Sequence, residues 1–545
     1  MNKILKAVFI LNLFCLPANA EQILTKDVVD LYDAYLKNQK ATTYRENLHY
    51  MYTETIDATK ELSKQSTLML GGKSTMDKFR HNTHIIAGAF PIICATPKDV
   101  SKYIAPTKAL FDYVIFDEAS QLLPGQAIPS IYRAKKAVII GDPHQMPPGL
   151  NAVFGSTEQT EDDFDDLGES ILDLLLKQPQ KQHHLKVHYR SKYNKLFEPS
   201  REAIYSGDGI EPIFEAELAN GAPIDIVDDL GEGQDEHGYD KNFYKICESI
   251  NEYIEQNNKA DFCVLFTRAD VLTRFKDFLA EIGERQYGKV ADLYNTDKIL
   301  ISTVTNCQGI EGTYTIIYLH HYDRPGSMWF FQEAVGAYKR LNVSITRQRE
   351  GLKLLLADQK SSWIKTCDEK LSRSDLGPNV QKSAQLMKAL LTSAGERADA
   401  TYLDRKLGIN SNWFDSPLTE QLYAKLTDYY ADKMGGDLKI YSEVGWNLLI
   451  PTGEGIDANE RNVGFRIDLG IYSVHQKKFV LGIEMDGALY HSGFDKEHSD
   501  YTRQKVLEEK GWELFRIWST NWLNDGDQEF RRLTQKIDQK LSVNR

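Results

Sequence analysis

Two apolar runs that each lead into acidic residues stand out in the hydrophobic pattern of the chain. Residues 113–116 run into Asp117-Glu118, and residues 137–140 run into a Gly-Asp pair. Continuous apolar runs of this kind predict strands that are buried on both faces, as in a parallel sheet. Ligands bind at the carboxyl ends of such strands. The residues that we therefore expect to share one crevice are Asp117, Glu118, Asp142 and Gln145.

Adjacent carboxylates at a strand end suit a nucleotide site. One can hold Mg²⁺, while the other positions or deprotonates a water for phosphoryl transfer. The stretch FDYVIFDEASQ, followed by GDPHQMPP, resembles motifs II and III of superfamily 1 helicases in the branch that carries DEAS or DEAQ. By that resemblance Asp117 binds the metal, Glu118 is catalytic and Gln145 contacts the nucleotide. The alternative is that each strand simply runs into a polar loop.

The chain downstream continues this resemblance in the same order. Residues 188–191, HYRS, resemble the segment whose arginine, here Arg190, reaches the γ-phosphate of ATP. An arginine provides planar, bidentate phosphate contact. The alternative for Arg190 is a surface salt bridge. The segment ILISTVTNCQGIEGTYTIIYL resembles motif V, with Gln308, Gly309 and Glu311 between two predicted strands.

The last helicase-like segment is YKRLNVSITRQR, residues 338–349, which resembles motif VI. By that resemblance Arg347 is an arginine finger, which stabilises charge on the transferring phosphoryl group. The nucleotide implied by this ordered set of motifs is ATP.

The expected phosphate-binding loop is missing. It needs the pattern GxxxxGK[ST], and the nearest candidate, residues 70–75 (LGGKST), has Thr67 where the first glycine belongs. We expect a turn there. The first helicase domain is therefore predicted to be incomplete, through a shortened product, a separately encoded half or gene decay.

The C-terminal region carries a second set of acids. A helix capped by Asp415-Ser416-Pro417 has Glu420 in its first turn, and predicted strands follow that carry Asp468 and then Glu484 and Asp486. Residues two apart on a strand face the same side. Three carboxylates at one sheet edge are hard oxygen ligands for Mg²⁺ or Mn²⁺, and such a metal can activate water. The alternative is a solvated edge with acids placed by chance.

The segments RIDLGI, GIEMDGALYH and RIWSTNW resemble PD-(D/E)XK nucleases, in the subgroup of the very-short-patch-repair endonuclease. The resemblance makes Asp468 and Glu484 the core metal ligands and Glu420 a supporting carboxylate. Asp486 stands where most of the superfamily has a lysine. His491 or Arg503 is the candidate to replace that lysine.

The predicted fold is α/β. An incomplete RecA-like domain and a second RecA-like domain, both with parallel sheets and flanking helices, precede a restriction-endonuclease-like domain. The predicted segments are 1–20 (signal-peptide-like or a buried strand or helix), 21–89 (helical), 90–182 (partial first RecA-like domain), 183–366 (second RecA-like domain), 367–412 (linker) and 413–545 (nuclease-like).

Composition sets limits on compartment and partners. The net charge of −13 argues against general coating of DNA but leaves room for a local basic groove. Six scattered cysteines without a CxxC pair fit a reducing compartment. The first 20 residues have the layout of an export signal, with an apolar run too short to span a bilayer. Because ATP and DNA are cytoplasmic, we expect a cytoplasmic protein with no membrane association, and export is the alternative.

Three functions remain open. The first is a metal-dependent DNA endonuclease on a helicase-like body, in DNA processing or defence against foreign DNA. The second is an ATP-dependent helicase–nuclease completed by a P-loop-bearing partner chain. The third is a scaffold that binds DNA or protein without catalysis.

Overall fold

The described part of the chain forms two compact units, residues 1–182 and 183–545. The computed structural model describes residues 7–10, 80, 83–84, 87, 92–148, 169–178, 182–185, 187–208, 210–213, 215–216, 222–320, 331, 337–396, 414, 416–432, 436–444, 465–486 and 494–542. The P-loop-like residues 70–75 and His491 lie outside these ranges.

The first unit contains a parallel sheet of order β2-β1-β3-β4. The sequence left two interpretations of the N-terminal apolar run, an export signal or a buried segment. In the structure this run contributes β1, which pairs with both β2 and β3. Its elements are β1 (Ala7–Ile10), β2 (Ile92–Cys94), α1 (Pro97–Tyr103), β3 (Phe111–Phe116), α2 (Pro124–Tyr132), β4 (Ala134–Ile139) and α3 (Ile171–Leu176).

The prediction that both acid-terminated runs are buried on two faces is wrong for the second one. Phe111, Val114 and Phe116 of β3 are buried, but residues 135–138 of β4 are exposed. The reason is that β4 is the outermost strand of the sheet within the described residues. Its two lysines, Lys135 and Lys136, are typical of an edge strand, because charge there opposes pairing with other chains.

The second unit contains a parallel sheet of order β7-β11-β10-β8-β9, as the alternation of strands and helices predicts. Strand β8 is buried throughout its length. The elements of this part are β5 (Val187–His188), α4 (Glu198–Ala203), β6 (Glu211–Pro212), β7 (Ile224–Val227), α5 (Asn242–Gln256), β8 (Phe262–Phe266), α6 (Ala269–Phe278), α7 (Glu284–Gln286), α8 (Gly288–Asn295), β9 (Ile299–Thr303), β10 (Gly312–Leu319), α9 (Ala337–Ser344) and β11 (Gln348–Leu356).

Two further helices follow this sheet, α10 (Lys360–Leu371) and α11 (Pro378–Ser393). Helix α11 begins at the predicted Gly377-Pro378 break, where proline is favoured because its missing N–H needs no partner. It packs against α4, α9 and α10 and buries Leu386, Leu390 and Leu391 completely. Residues 378–393, which the sequence predicts as part of a linker, are therefore part of the core of this unit.

The C-terminal sheet is mixed, with order β12-β13-β14-β15. The β12–β13 and β13–β14 pairs are antiparallel, and β14 and β15 are parallel. The predicted cap is present, since Ser416 Oγ accepts a hydrogen bond of 3.1 Å from the Leu418 N–H. The elements are α12 (Pro417–Tyr429), β12 (Leu438–Val444), β13 (Ile467–Ser473), β14 (Lys478–Asp486), α13 (Phe494–Glu509), β15 (Leu514–Trp518) and α14 (Ser519–Ser542).

Within the described ranges, no helix combines the length and the apolar character that crossing a membrane requires.

Candidate active site and nucleotide-contacting residues

The structure brings the ends of β3 and β4 together in the first unit. Their register pairs Phe116 with Ile139, so the two acidic loops begin side by side. The Ala119 N–H donates to the Ile140 carbonyl at 2.9 Å, which joins the loops directly. Gly141 lies at this junction. A Cβ there would approach Leu172 Cδ2 to 3.0 Å and the backbone nitrogens of Ala119 and Ser120 to 3.1 Å.

Hydrogen bonds between residues close in sequence hold the two acidic loops in place. Asp117 is exposed, and its Oδ1 accepts a bond of 3.0 Å from the Glu118 N–H. Glu118 adopts a left-handed conformation with φ of 53°, which is uncommon for a residue other than glycine. Asp142 accepts bonds from the His144 N–H at 2.8 Å and from Gln145 Nε2 at 3.1 Å. These four predicted residues thus lie on two adjacent strand ends.

The C-terminal acids come together at the junction of β13 and β14. Asp468 lies next to the registered pair Leu469–Ile483, opposite Glu484, and its Oδ2 accepts a hydrogen bond of 2.8 Å from the Met485 N–H. Glu484 and Asp486 are both buried, 6% and 3% exposed, on the same side of β14. Asp468, Glu484 and Asp486 therefore lie on two neighbouring strands of this sheet, and their convergence on one metal ion stays a prediction.

Two arginines face these acids. Arg503 of α13 lies 2.9 Å from Glu484 Oε1 and also donates to the Arg466 carbonyl. Arg516 of β15 is registered with Glu484, and its Nε lies 3.0 Å from Asp486 Oδ2. Of the two candidates for the role of the superfamily lysine, Arg503 is in contact with the acids, and His491 lies outside the described residues.

The electrostatics of the cluster reflect burial of several acids together. Burial raises the pKa of Glu484 to about 7; the Arg503 guanidinium opposes this shift, and the carboxylates of Asp468 and Asp486 add to it. Burial likewise raises the pKa of Asp468, against the hydrogen bond from the Met485 N–H. Like charges that are buried together disfavour ionisation, so a cation at this position would relieve an existing repulsion.

Each of the three carboxylates has a partner within the protein: Asp468 accepts from the Met485 N–H, Glu484 lies beside Arg503, and Asp486 lies beside Arg516. Among the described residues, no group of three or more His, Cys, Asp or Glu side chains is positioned to hold a metal ion. Glu420 is exposed in the first turn of α12, and the predicted supporting contact is not seen in the described part of the chain. The donor chemistry fits a hard divalent cation, but binding requires Glu484 or Asp486 to turn away from its arginine.

Sequence reasoning missed three residues of this cluster. Glu443 lies on β12 where the register places it opposite Asp468; it is 3% exposed and its Oε2 lies 2.7 Å from Arg466 Nε. It also has a left-handed φ of 50°. Arg466 and Arg516 are charged residues beside otherwise apolar strand positions, and that contrast in the sequence is the signal that could have revealed them.

The predicted nucleotide-contacting residues of the second unit also meet. Gln308 and Gly309 lie in the turn between β9 and β10, as predicted, and Gly309 has a φ of 81° that favours glycine. Glu311 follows directly, and its Oε1 lies 2.5 Å from Arg190 Nε. Arg190 Nη1 also donates to the Thr346 carbonyl at 3.4 Å. Segments resembling the HYRS region, motif V and motif VI therefore share one cluster.

The two arginines of this cluster differ in access. The side chains of Arg190 and Glu311 are 32% and 36% exposed, so their ion pair is half in water and contributes little stability. Arg347 is 2% exposed, and its guanidinium donates to the Val343 carbonyl at 2.8 Å and to Thr346 Oγ1 at 3.2 Å. Burial, and then the nearby Arg190, lower its pKa. Arg190 is thus available to an added phosphate, whereas Arg347 is engaged within the fold.

Two family models match the chain. One is described as an AAA domain and matches residues 18–151, and the other is named REase_MTES_1575 and matches residues 445–537. The AAA match extends over residues 18–151 and so includes most of the segment 21–89 as well as part of the segment 90–182. The first match contains the DEAS and GDPHQ segments, and the second contains Asp468, Glu484 and Asp486.

Two curated relatives cover most of the chain. A protein named uncharacterized ATP-dependent helicase MG140, from Mycoplasma genitalium, is 24% identical over 522 residues, covering 91% of this chain and 43% of the relative. Its homologue from Mycoplasma pneumoniae is 23% identical over 473 residues, covering 82% of this chain and 39% of the relative. The chain thus spans about two fifths of the length of these relatives.

Solved structures with local similarity include two viral helicases. The arterivirus nonstructural protein 10 helicase is 11% identical, with a TM-score of 0.25, over 56% of this chain and 57% of that chain. The PRRSV helicase is 13% identical, also with a TM-score of 0.25, over 63% and 53%. From the family matches and the helicase relatives, the chain is a helicase-like body with an AAA-type segment, followed by a restriction-endonuclease-like C-terminal domain.

Proposed function

We propose that this chain is a metal-dependent DNA endonuclease of the PD-(D/E)XK type, carried on a superfamily 1 helicase-like body. The observation that carries the proposal is the cluster of Asp468 and the buried Glu484 and Asp486 with Arg503 and Arg516. Acids that repel one another beside arginines offer both cation ligands and phosphate contacts in one place. The restriction-endonuclease-like match over residues 445–537 supports the same assignment.

In this proposal Asp468, Glu484 and Asp486 hold Mg²⁺ or Mn²⁺, which when bound supplies an activated water and stabilises charge on the phosphodiester. The protein residues have separate tasks. The N–H of Met485 orients Asp468. The Arg503 guanidinium, now 2.9 Å from Glu484 Oε1, would contact a phosphate oxygen and stabilise the charge that develops as water attacks phosphorus and the P–O bond to the leaving oxygen breaks.

The test is cleavage of plasmid and single-stranded DNA by the full chain, with Mg²⁺ or Mn²⁺, with and without ATP. Asp468→Asn and Glu484→Gln keep the size of each side chain and remove its charge. We expect metal-dependent cutting that falls at least about a hundredfold in both variants. Glu508→Gln, an exposed acid of α13, is the matched control. Equal cutting by all four proteins overturns the assignment, and no cutting by any of them favours the scaffold.

A second candidate is an ATP-dependent helicase–nuclease, in which ATP binds the helicase-like body. It is favoured by the accessible Arg190–Glu311 pair, because a phosphate can replace Glu311 as the partner of Arg190. It is also favoured by the names of the curated relatives. In this candidate Asp117 holds Mg²⁺, Glu118 positions the attacking water, Gln145 and Gln308 contact the nucleotide, and a P-loop comes from a partner chain. Cutting that requires ATP would select it over the first.

A role in defence against foreign DNA or in DNA processing belongs to either candidate. Both place the protein on DNA, and the cytoplasm is the compartment that supplies DNA and ATP.

A further inference from the structure

A short segment, which we call the strap (residues 211–213 and 215–216), connects the helicase-like part of the second unit to the nuclease-like sheet. Its first residues form β6, which pairs with β5 in parallel register, Val187 with Glu211. At its last residue, Ala216, both the backbone N–H and the backbone carbonyl form hydrogen bonds to the nuclease-like domain. The Ala216 N–H donates to the Lys510 carbonyl at 3.0 Å, and the Phe479 N–H donates to the Ala216 carbonyl at 2.8 Å. The strap is therefore hydrogen-bonded to both parts.

Apolar packing reinforces the strap. Ile213 and Ala216 are 2% exposed and belong to one buried cluster with Phe479 and Trp512 of the nuclease-like domain. Val187, which immediately precedes the HYRS segment, packs against the same cluster. A cluster of this size excludes water from both partners, so the two parts are held together by burial as well as by hydrogen bonds.

Lys510 extends this connection to the HYRS segment. It lies just after α13, is completely buried, and donates from Nζ to the Ser191 carbonyl. The Ala216 N–H holds the Lys510 carbonyl, and the Lys510 N–H donates to the Val506 carbonyl at 3.1 Å. Glu215, 4% exposed, lies close enough to stabilise the ammonium, and burial lowers the Lys510 pKa to about 8. A buried lysine costs stability unless its donors are matched, which argues for a defined partner at this position.

The HYRS segment is held from the other side by the motif V and motif VI segments. The Lys192 N–H donates to the Arg349 carbonyl at 2.7 Å, and Arg190 pairs with Glu311. His188 Nε2 and Ser191 Oγ are 3.0 Å apart, which closes the turn between them. Arg190 thus sits on a tight turn with the nuclease-like domain on one side and the candidate nucleotide contacts on the other.

We propose that Lys510 of the nuclease-like domain is a positioning residue for Arg190: by holding the Ser191 carbonyl it fixes the turn from which Arg190 reaches a nucleotide phosphate. This inference rests on the proposed role of Arg190 in contacting ATP. It makes the nuclease-like domain part of the nucleotide response, because displacement of α13 moves the Lys510 ammonium that anchors the Ser191 carbonyl of the turn.

The test compares the full-length wild type with Lys510→Met, Arg190→Ala and a matched control, Lys505→Met. Lys505 is also a lysine of this region but is exposed, and its Nζ contacts its helix neighbours, Glu508 at 3.2 Å and the Tyr501 ring at 5.7 Å from the centroid. Two quantities are measured: ATP affinity by titration calorimetry, and amide hydrogen exchange of residues 187–192 and of β13 and β14. Neither requires DNA cleavage, so they are independent of the endonuclease proposal.

We expect Lys510→Met to weaken ATP binding at least about fivefold and to speed exchange of residues 187–192 at least about tenfold, with β13 and β14 as protected as in the wild type. Lys505→Met stays within about twofold of the wild type in both measurements. Lys510→Arg, which retains a charged donor, recovers most of the lost affinity. A purely structural role predicts faster exchange throughout β13 and β14 instead.

The other outcomes distinguish failure of the positioning role of Lys510 from failure of the role of Arg190 in ATP binding. If Arg190→Ala loses ATP affinity and Lys510→Met does not, the positioning role is overturned while the role of Arg190 stands. If the wild type binds no ATP, or Arg190→Ala binds it normally, the role of Arg190 is wrong and the inference falls with it. If Lys510→Met loses protection throughout the sheet, Lys510→Gln, which keeps a polar group, repeats the test: weaker ATP binding with an intact sheet supports the positioning role, and any other result overturns it.

Discussion

At the scale of single residues, the nuclease-like site is defined by which charges are buried together. Glu484 combines burial, two neighbouring carboxylates and one arginine, and its pKa is about 7 instead of the usual 4.5. A carboxyl group with a raised pKa in the folded state favours folding when it is protonated. The contribution is complete below about pH 4.5 and is lost as the pH rises through about 7.

This gives a pH prediction for the metal-free protein. In EDTA, the melting temperature of the wild type should fall between pH 5.5 and pH 8 more steeply than that of Glu484→Gln, because only the wild type must ionise the buried Glu484 carboxyl in this pH range. The measurement is thermal unfolding at matched ionic strength. Glu508→Gln serves as control, since Glu508 is exposed. Parallel curves for the wild type and Glu484→Gln would contradict the assignment of the raised pKa.

Gly141 provides a second prediction at this scale. In Gly141→Ala the new methyl group meets Leu172 and two backbone nitrogens at 3.0–3.1 Å, so the acidic loops must move apart. We expect a loss of about 1–3 kcal/mol of stability in the first unit, measured by urea unfolding.

The matched variant is Gly125→Ala, in α2, where a Cβ meets nothing within 4 Å. It should be neutral or stabilise by up to about 1 kcal/mol, because alanine is favoured over glycine in a helix. Equal effects of the two variants would mean that the close approach at Gly141 is not a constraint.

At the scale of elements, α11 shows that sequence composition alone can mislead. Its sequence PNVQKSAQLMKALLTS mixes polar and apolar residues, and its position between two domains favours a linker. In the structure its apolar residues lie on one face and pack against α4, α9 and α10. Helical spacing, rather than average hydrophobicity, determines how much of such a segment is buried.

The packing of α11 can be tested directly. Leu390→Ala should cost about 2–5 kcal/mol, because it leaves a cavity in a fully buried position. Gln385→Ala on the exposed face of the same helix should change stability by less than about 0.5 kcal/mol. Both are read from denaturant unfolding of the full chain. A Leu390→Ala protein as stable as the wild type would restore the linker interpretation.

At the scale of the whole molecule, the two compact units have separate cores. The first buries residues such as Phe111 and Phe116, and the second contains both the five-stranded parallel sheet and the nuclease-like sheet. The strap and Lys510 unite these two sheets within one unit. Ligands of the nuclease-like site therefore act on the stability of the second unit.

This arrangement predicts two unfolding steps that respond differently to metal. Mn²⁺ should raise the midpoint of one step by several degrees and leave the other unchanged, because a ligand stabilises only the unit that binds it. Calorimetry of the full chain with and without Mn²⁺ measures this. Asp468→Asn should abolish the shift. A shift that persists in Asp468→Asn would place metal binding elsewhere.

The sequence by itself determined the order of motifs, the α/β class and the pairs of acids. These follow from local rules: apolar runs define strands, acids at their ends define candidate sites, and residues two apart on a strand share a face. The turn containing Gln308 and Gly309, the cap at Ser416 and the strand pair bearing Asp468 and Glu484 were all predicted in this way.

Only the tertiary structure decided which charges neighbour these acids and which segments are buried. Glu443, Arg466 and Arg516 lie far apart in sequence and meet the acids through strand register, which no local pattern encodes. The same applies to the exposure of β4, the burial of Arg347 and α11, and the contact of Lys510 with Ser191, 319 residues apart. The physical reason is that burial and charge pairing depend on the packing of distant segments, whereas strand and helix periodicity depend on neighbours in the chain.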